Sequence, residues 1–127
     1  MQALVAYQSD FTKRTGIDIV LDMESFSKLS PPMEEPIFRI IQEALNNAAK
    51  YAQAQRVVIQ LHRGPDLVKI VITDDGRGFD LHQHRTGKSS RGWGLIFMEE
   101  RAVSIGGGFR VESAEGAGTR IIVEVPK

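Results

Sequence analysis

Cysteine is absent from this sequence of 127 residues, and long apolar runs and an excess of either charge are absent as well. The lack of cysteine excludes a disulfide scaffold and a thiolate metal site, and it suits a reducing cytoplasm. No apolar run approaches the ~20 residues that a membrane-spanning helix requires, and the first ten residues lack the basic start and apolar core of a signal peptide. We therefore expect a cytoplasmic domain, and any inner-membrane anchor would belong to a longer parent protein.

Charge and composition narrow the class further. The 16 basic and 16 acidic side chains cancel, so no field of the whole domain attracts nucleic acid or an anionic membrane. An anion must then be bound by a local site. With 42% hydrophobic and 25% charged residues, the chain is long enough to bury one core, which predicts a single globular domain.

The stretch 39–52, RIIQEALNNAAKYA, has the apolar periodicity of a core-facing helix. Its apolar residues, together with one just upstream, recur at steps of three and four, which is the spacing of one helical face. They are Ile37, Ile40, Ile41, Ala44, Leu45, Ala48 and Ala52. We predict that this helix is the element around which the fold is organised.

A second row runs along the same helix. Arg39, Glu43, Asn47 and Lys50 follow one another at i, i+4, i+8 and i+11, so a carboxylate, an amide and an ammonium lie along one edge. Such a row can hold a metal ion and a phosphate group. The alternative is that these residues form the solvent-exposed face of a surface helix.

Shorter patterns predict the other elements. Residues 1–14 predict an amphipathic helix that ends at Gly16, which is either the tail of a longer upstream helix or an N-terminal packing helix. Alternating apolar residues predict strands at 17–22, 55–62, 67–73, 109–113 and 119–125.

The segment DDGRGF follows a predicted strand whose inward residues are Val68, Ile70 and Ile72. Continuing that period of two places Asp74 on the inward side as well, where its carboxylate can accept a hydrogen bond from an amine such as adenine N6. Glycines at 76 and 78 allow a sharp turn and a close approach to a flat ligand. A surface turn is the alternative.

Residues 80–91 are polar, and Gly92-Trp93-Gly94-Leu95 comes next, so we predict a glycine turn that leads into a helix at 96–105. Such a turn presents backbone N–H groups to an anion, and the polar loop is a candidate lid over phosphates. Two histidines in that loop, His82 and His84, are interpreted as solvated, and His62 is given no role. Thr119 follows a glycine turn and either serves the same pocket or is an ordinary strand residue.

Four motifs occur in one order along the chain: Glu43-x-x-x-Asn47-x-x-Lys50, Asp74-x-Gly76-x-Gly78, Gly92-x-Gly94-Leu95 and Gly116-x-Gly118-Thr119. Together they resemble the GHKL ATP-binding domain of gyrases, heat-shock chaperones, mismatch-repair proteins and sensor histidine kinases. The wording of the motifs is most similar to the kinases that work with nitrate-response-type regulators, in which a glutamate replaces the first asparagine, as Glu43 does here.

The resemblance implies an α+β fold, a two-layer α/β sandwich in which a mixed, largely antiparallel sheet of about five strands is covered on one face by three helices. It implies that residues 1–15 are the tail of a connecting helix and residues 16–127 the ATP-binding catalytic domain. Catalysis is assigned to Glu43. Nucleotide binding is assigned to Asn47, Lys50, Tyr51, Asp74, Gly76, Gly78, Gly92, Gly94, Leu95 and Thr119.

In detail, the resemblance implies that Asn47 coordinates Mg²⁺, that Lys50 contacts phosphate and that Tyr51 lies near the base or ribose. Asp74 would bind the adenine amine, and Gly92 and Gly94 would act as hinges of the lid.

The cofactors implied are ATP and Mg²⁺. The implied partners are an upstream dimerisation and histidine-acceptor helical domain and a response regulator, within a homodimeric parent. None of His62, His82 and His84 matches the family's acceptor motif, so the chain is expected to bind ATP without completing the kinase reaction alone.

Two other functional classes stay open. The first is an ATPase module of the gyrase or chaperone type, in which Glu43 would activate water; the lack of a transducer domain after the last strand argues against it. The second is a regulatory nucleotide-binding module without turnover, or a serine-directed kinase of the anti-sigma-factor type. A histidine-bearing helical hairpin upstream would decide among them.

Overall fold

The computed structural model describes residues 2–22, 26, 29–79 and 90–126. The helices are α1 (Gln2–Thr15), α2 (Pro31–Asn47), a π-helical turn (Ala48–Ala52) that continues α2, and α3 (Ser90–Ser104). The strands are β1 (Asp18–Leu21), β2 (Arg56–Arg63), β3 (Leu67–Asp74), β4 (Gly108–Ser113) and β5 (Thr119–Pro126).

The strands form one open sheet in the order β1-β2-β3-β5-β4. Among the strands that the structure describes, β1 and β2 pair in parallel, and the β2–β3, β3–β5 and β4–β5 pairs are antiparallel. A parallel pair requires a crossover connection, which α2 supplies between β1 and β2. The β2–β3 and β4–β5 pairs are joined directly, and β3 is connected to β5 through α3 and β4. Among the described residues, the predicted mixed, largely antiparallel sheet of five strands is confirmed, and so are the three helices.

Alternation along the strands separates the two faces of the sheet. Val57, Ile59, Ile70 and Val123 are buried in the core that the helices cover. All seven apolar residues of the stripe on α2 and its π turn are buried as well. The strands alternate with a period of two residues, and the apolar residues of α2 recur every three or four residues. Burial of the apolar stripe therefore turns that face of α2 towards the sheet.

Helix α1 packs into the same core. Leu4 and Phe11 are both 1% exposed, and Gly16 ends the helix with a left-handed φ of 75°. The Tyr7 ring packs edge-on to Phe38 of α2 at 5.9 Å. Burial raises the pKa of Tyr7. The domain boundary at residue 15 and the assignment of residues 1–15 to a connecting helix stay predictions.

Candidate functional site

Glu43 and Asn47 lie one turn apart on α2, at its contact with α3. Both side chains are half-buried. A methyl group built on Gly94 of α3 would overlap Glu43 Oε1 and would lie 3.5 Å from Asn47 Nδ2. The absence of a side chain at Gly94 therefore leaves room for the carboxylate and the amide at the junction of the two helices. The neighbouring Arg39 contacts Glu35 at 3.9 Å and Gln42 at 3.1 Å.

The position of Gly92 and Gly94 differs from the prediction. Helix α3 begins at Ser90, so the predicted glycine turn before a helix that starts at residue 96 is wrong. Glycine costs about 1 kcal/mol relative to alanine inside a helix, which is why the sequence favoured a turn. Close packing on α2 explains why the helix tolerates Gly94, and tertiary contact overrides the local preference. Leu95 is 7% exposed and packs in the core.

An open cleft of about 400 Å³ lies beside Glu43. Its other lining residues belong to α3, and they include Trp93, which is 65% exposed, and Phe97, which is 37% exposed. The guanidinium of Arg101 lies 4.6 Å from the centre of the Phe97 ring, which supports that ring from one side. Glu100 adds a second carboxylate to the cleft. The cleft offers apolar surface next to a half-buried carboxylate.

The π turn changes the end of the organising helix. The N–H of Gln53, which has a left-handed φ of 52°, donates to the carbonyl of Ala48, as in an i→i+5 turn. Lys50 lies in this turn and is exposed, so its direction does not follow from the 3.6-residue period used to align it with Glu43 and Asn47. Tyr51 is half-buried.

The loop 75–79 binds the end of this helix. The Arg77 N–H donates to the Ala52 carbonyl at 2.8 Å, and the Arg77 guanidinium donates to the Tyr51 carbonyl at 2.7 Å. These bonds satisfy carbonyl groups that a helix end leaves without helical partners. Gly76 fits directly against Ala52, where a side chain would overlap the helix backbone.

The same loop is tied to strand β2 through Asp75. Its Oδ1 accepts the N–H groups of Gln55 at 2.8 Å and Arg56 at 3.0 Å. The bond from the Arg56 N–H lowers the pKa of Asp75 below its ordinary value. Neither Arg77 nor Asp75 was assigned a role from the sequence, because the partners of both lie more than 15 residues away and no local pattern indicates them.

Asp74 and Thr119 face each other across β3 and β5, at the end of the inner face of the sheet. Oδ1 of Asp74 accepts the Gly76 N–H at 2.9 Å. Thr119 is only 8% exposed, and its hydroxyl lies 3.0 Å from that of Ser113 on β4. The structure thus brings together Asp74 and Thr119 as predicted, and it adds Ser113, which the sequence analysis did not identify.

Two further glycines lie at the end of the sheet that carries Asp74 and Thr119. Gly78 has a φ of 68°, and a side chain there would overlap the carbonyl oxygens of Ala114 and Gly118. Gly118 has a φ of 74° and lies against the Asp74 carbonyl in the same way. Only glycine combines the left-handed conformation with such close backbone contact.

The lid predicted at 80–91 lies outside the described residues except for its last two positions, and so do His82 and His84. Among the residues that are described, no group of three or more histidine, cysteine or acidic side chains could hold a metal ion. No helix in that part of the chain has the length and apolar character needed to cross a membrane.

Comparisons with known proteins agree with this architecture. The sequence model for "Histidine kinase-, DNA gyrase B-, and HSP90-like ATPase" matches residues 33–127. The chain is 35% identical over 125 residues to the sensor histidine kinase LiaS of Bacillus subtilis, a match covering 98% of this chain and 33% of LiaS. It is 35% identical over 117 residues to the sensor protein VraS of Staphylococcus saprophyticus, with 92% of this chain and 32% of VraS covered.

A solved structure shares the fold. The histidine kinase domain of a blue-light activated histidine kinase from Erythrobacter litoralis superimposes with a TM-score of 0.71 at 17% identity, covering 97% of this chain and 58% of that one. The chain spans about a third of the length of the curated relatives.

Proposed function

The chain belongs to the histidine kinase-, DNA gyrase B- and HSP90-like ATPase family, and we propose that it is the ATP-binding catalytic part of a sensor histidine kinase. In this proposal it transfers the γ-phosphoryl group of ATP to a histidine on a separate helical domain. The observation that carries the proposal is the junction of Glu43, Asn47 and Gly94 beside an open cleft.

In this proposal, the residues at the end of the sheet and those on α2 bind opposite ends of ATP. Asp74 and Thr119 lie together at the end of the inner sheet face, where oxygen acceptors suit the exocyclic amine of adenine. Gly76 and Gly78 allow the neighbouring backbone to lie close to the helix end and the hairpin, and we propose that they shape the floor of the pocket. Asn47, Lys50 and Tyr51 on α2 and its π turn are proposed to contact the rest of the nucleotide.

The residues present fit a magnesium ion that is bound together with nucleotide. Mg²⁺ usually takes one or two protein oxygens and completes its shell with phosphate oxygens and water. Asn47 carries an amide oxygen one helical turn after the Glu43 carboxylate, and the described residues contain no group of three or more histidine, cysteine or acidic side chains that could bind the ion without nucleotide. When bound, the ion would neutralise charge on the phosphates.

Glu43 is proposed as the group that orients the acceptor imidazole or accepts its proton. Its carboxylate borders the cleft with the exposed rings of Trp93 and Phe97, which gives a helix bearing the acceptor histidine an apolar surface to contact. Phosphoryl transfer requires mainly positioning and charge neutralisation. In this proposal, the main contribution of the protein is therefore to hold the acceptor imidazole close to the nucleotide.

The partners follow from this role. We propose an upstream dimerisation and histidine-acceptor helical domain, a homodimeric parent and a response regulator reached through that parent. The relatives are named as sensor histidine kinases and sensor proteins, which favours this reading over the gyrase or chaperone type. We also propose a cytoplasmic location for the domain.

Replacing Asp74 by Asn should weaken ATP binding by about 1.5–3 kcal/mol, because a charged acceptor facing the adenine amine is lost. The Gly76 N–H can keep the remaining oxygen in place, so the fold should survive. Calorimetric titration with ATP measures the change. The matched control is Asp75→Asn, which alters the adjacent carboxylate outside the inner row and should leave ATP affinity near wild type; equal affinities for both variants would refute the pocket.

Replacing Asn47 by Ala should remove the magnesium-dependent part of ATP affinity while leaving the contribution of adenine. The measurement compares ATP affinity in Mg²⁺ with that in chelator. Asn46→Ala serves as the control, because the Asn46 side chain faces the Tyr7 hydroxyl of α1 instead. A loss of the same size in both conditions for Asn47→Ala would show that Asn47 is only structural.

A further inference from the structure

Three polar side chains lie next to one another at the end of the inner sheet face. The register pairs Asp74 with Thr119 and Thr119 with Ser113, so all three point to the same side of the sheet. The pairs that follow on this face, such as Ile72 with Ile121, are apolar. The polar row therefore marks the place where the apolar core ends.

The hydroxyl of Ser113 makes three contacts. The Phe79 N–H donates to it at 3.0 Å, the Gly118 carbonyl oxygen lies 2.9 Å away, and the Thr119 hydroxyl lies 3.0 Å away. A serine hydroxyl has one proton, and a carbonyl oxygen can only accept. The Ser113 proton is therefore directed to Gly118, and the contact between the hydroxyls is satisfied when Thr119 donates to Ser113.

In this arrangement, the single hydroxyl proton of Thr119 is used in the hydrogen bond to Ser113. Towards a ligand, Thr119 then presents only lone pairs, and its neighbour Asp74 is a carboxylate, which also accepts. Two adjacent acceptors match an exocyclic amine of the ligand, which donates hydrogen bonds. A carbonyl oxygen of the ligand in the same place is itself an acceptor, so neither it nor the two protein groups would be hydrogen-bonded.

We propose that Ser113 is a specificity-determining residue, which selects a 6-amino purine over a 6-oxo purine by holding the Thr119 hydroxyl as an acceptor. This inference rests on the proposed function, because it requires ATP to bind with its base at this end. Ser113 acts through Thr119 and is a positioning residue.

The test compares ATP with inosine triphosphate, which has the same phosphates and ribose but a 6-oxo base. Dissociation constants of both are measured with Mg²⁺ for the wild-type chain and for Ser113→Ala. We expect the wild type to prefer ATP, and we expect the preference to fall on the order of tenfold in the variant, because the Thr119 hydroxyl becomes able to donate. Loss of the Phe79 contact alone would weaken both nucleotides in parallel and leave their ratio unchanged.

Thr119→Val provides the second arm. Without the Thr119 hydroxyl, Ser113 has no group to orient, so adding Ser113→Ala to Thr119→Val should not change the ratio further. If Ser113→Ala does not fold, Ser113→Cys keeps the shape with a weaker donor and acceptor, and its ratio should lie below that of the wild type. An unchanged ratio in the folded single variant, or the same change in the Thr119→Val background, overturns the role of Ser113. A wild-type chain that binds neither nucleotide overturns the proposed function itself.

Discussion

Glu43→Gln should slow phosphoryl transfer to the acceptor histidine by at least about tenfold, and up to the 10²–10⁴-fold that general-base catalysis typically contributes, while ATP binding stays near normal. The substitution keeps size and hydrogen bonding but removes the base. Glu43 lies at the junction of α2 and α3, against Gly94 and beside the cleft, where we propose that the acceptor imidazole enters. The measurement is the rate of phosphorylation in the chain combined with its helical acceptor domain.

Glu100→Gln is the matched control for this experiment. Glu100 lines the same cleft from α3 but is exposed, so its removal changes the charge of the cleft without touching the junction with Asn47. Transfer should remain close to the wild-type rate. If Glu43→Gln also transfers at the wild-type rate, Glu43 is a helix-surface residue and the base must come from the acceptor domain.

Gly78→Ala should destabilise the domain by roughly 3 kcal/mol or more, a large share of the 5–15 kcal/mol by which such domains are stable. Two costs combine. The left-handed conformation costs a residue with a side chain about 1–2 kcal/mol, and the new methyl group would overlap the Ala114 and Gly118 carbonyl oxygens. Because those oxygens belong to backbone, the hairpin between β4 and β5 must move. Urea unfolding followed by circular dichroism measures the loss.

Gly116→Ala separates the two costs. Gly116 has a φ of 81° in the same hairpin, but a methyl group there meets no atom within 4 Å. This variant should lose only the conformational term, about 1–2 kcal/mol. If Gly78→Ala loses no more stability than Gly116→Ala, the hairpin can move without cost and the close contact contributes little to stability.

Most of the fold could be predicted because its signals are local. The step of three and four residues through Ile37, Ile41 and Leu45 placed the buried face of α2, and alternation through Val68, Ile70 and Ile72 placed Asp74 on the inner side. Each pattern requires only the geometry of its own element, so neighbours in space were not needed.

The features that were missed depend on distant partners. Helix α3 extends through Gly92 and Gly94, and packing against Glu43 of α2 compensates for the poor helix propensity of glycine. The π turn at Ala48–Ala52 is completed by the loop at 75–79, and no single-helix period indicates it. The role proposed for Ser113 depends on the register that places it opposite Thr119, and a lone serine in a strand carries no such signal.

The bonds of the loop 75–79 have a consequence for motion. Within five residues it holds the end of the π turn through Arg77, the start of β2 through Asp75, and the β4–β5 hairpin through Phe79 and through the Gly116 N–H that donates to Arg77. Three elements that are distant along the chain thus share one set of hydrogen bonds. Because these bonds are shared, we expect this end of the sheet to open as one cooperative unit and not strand by strand.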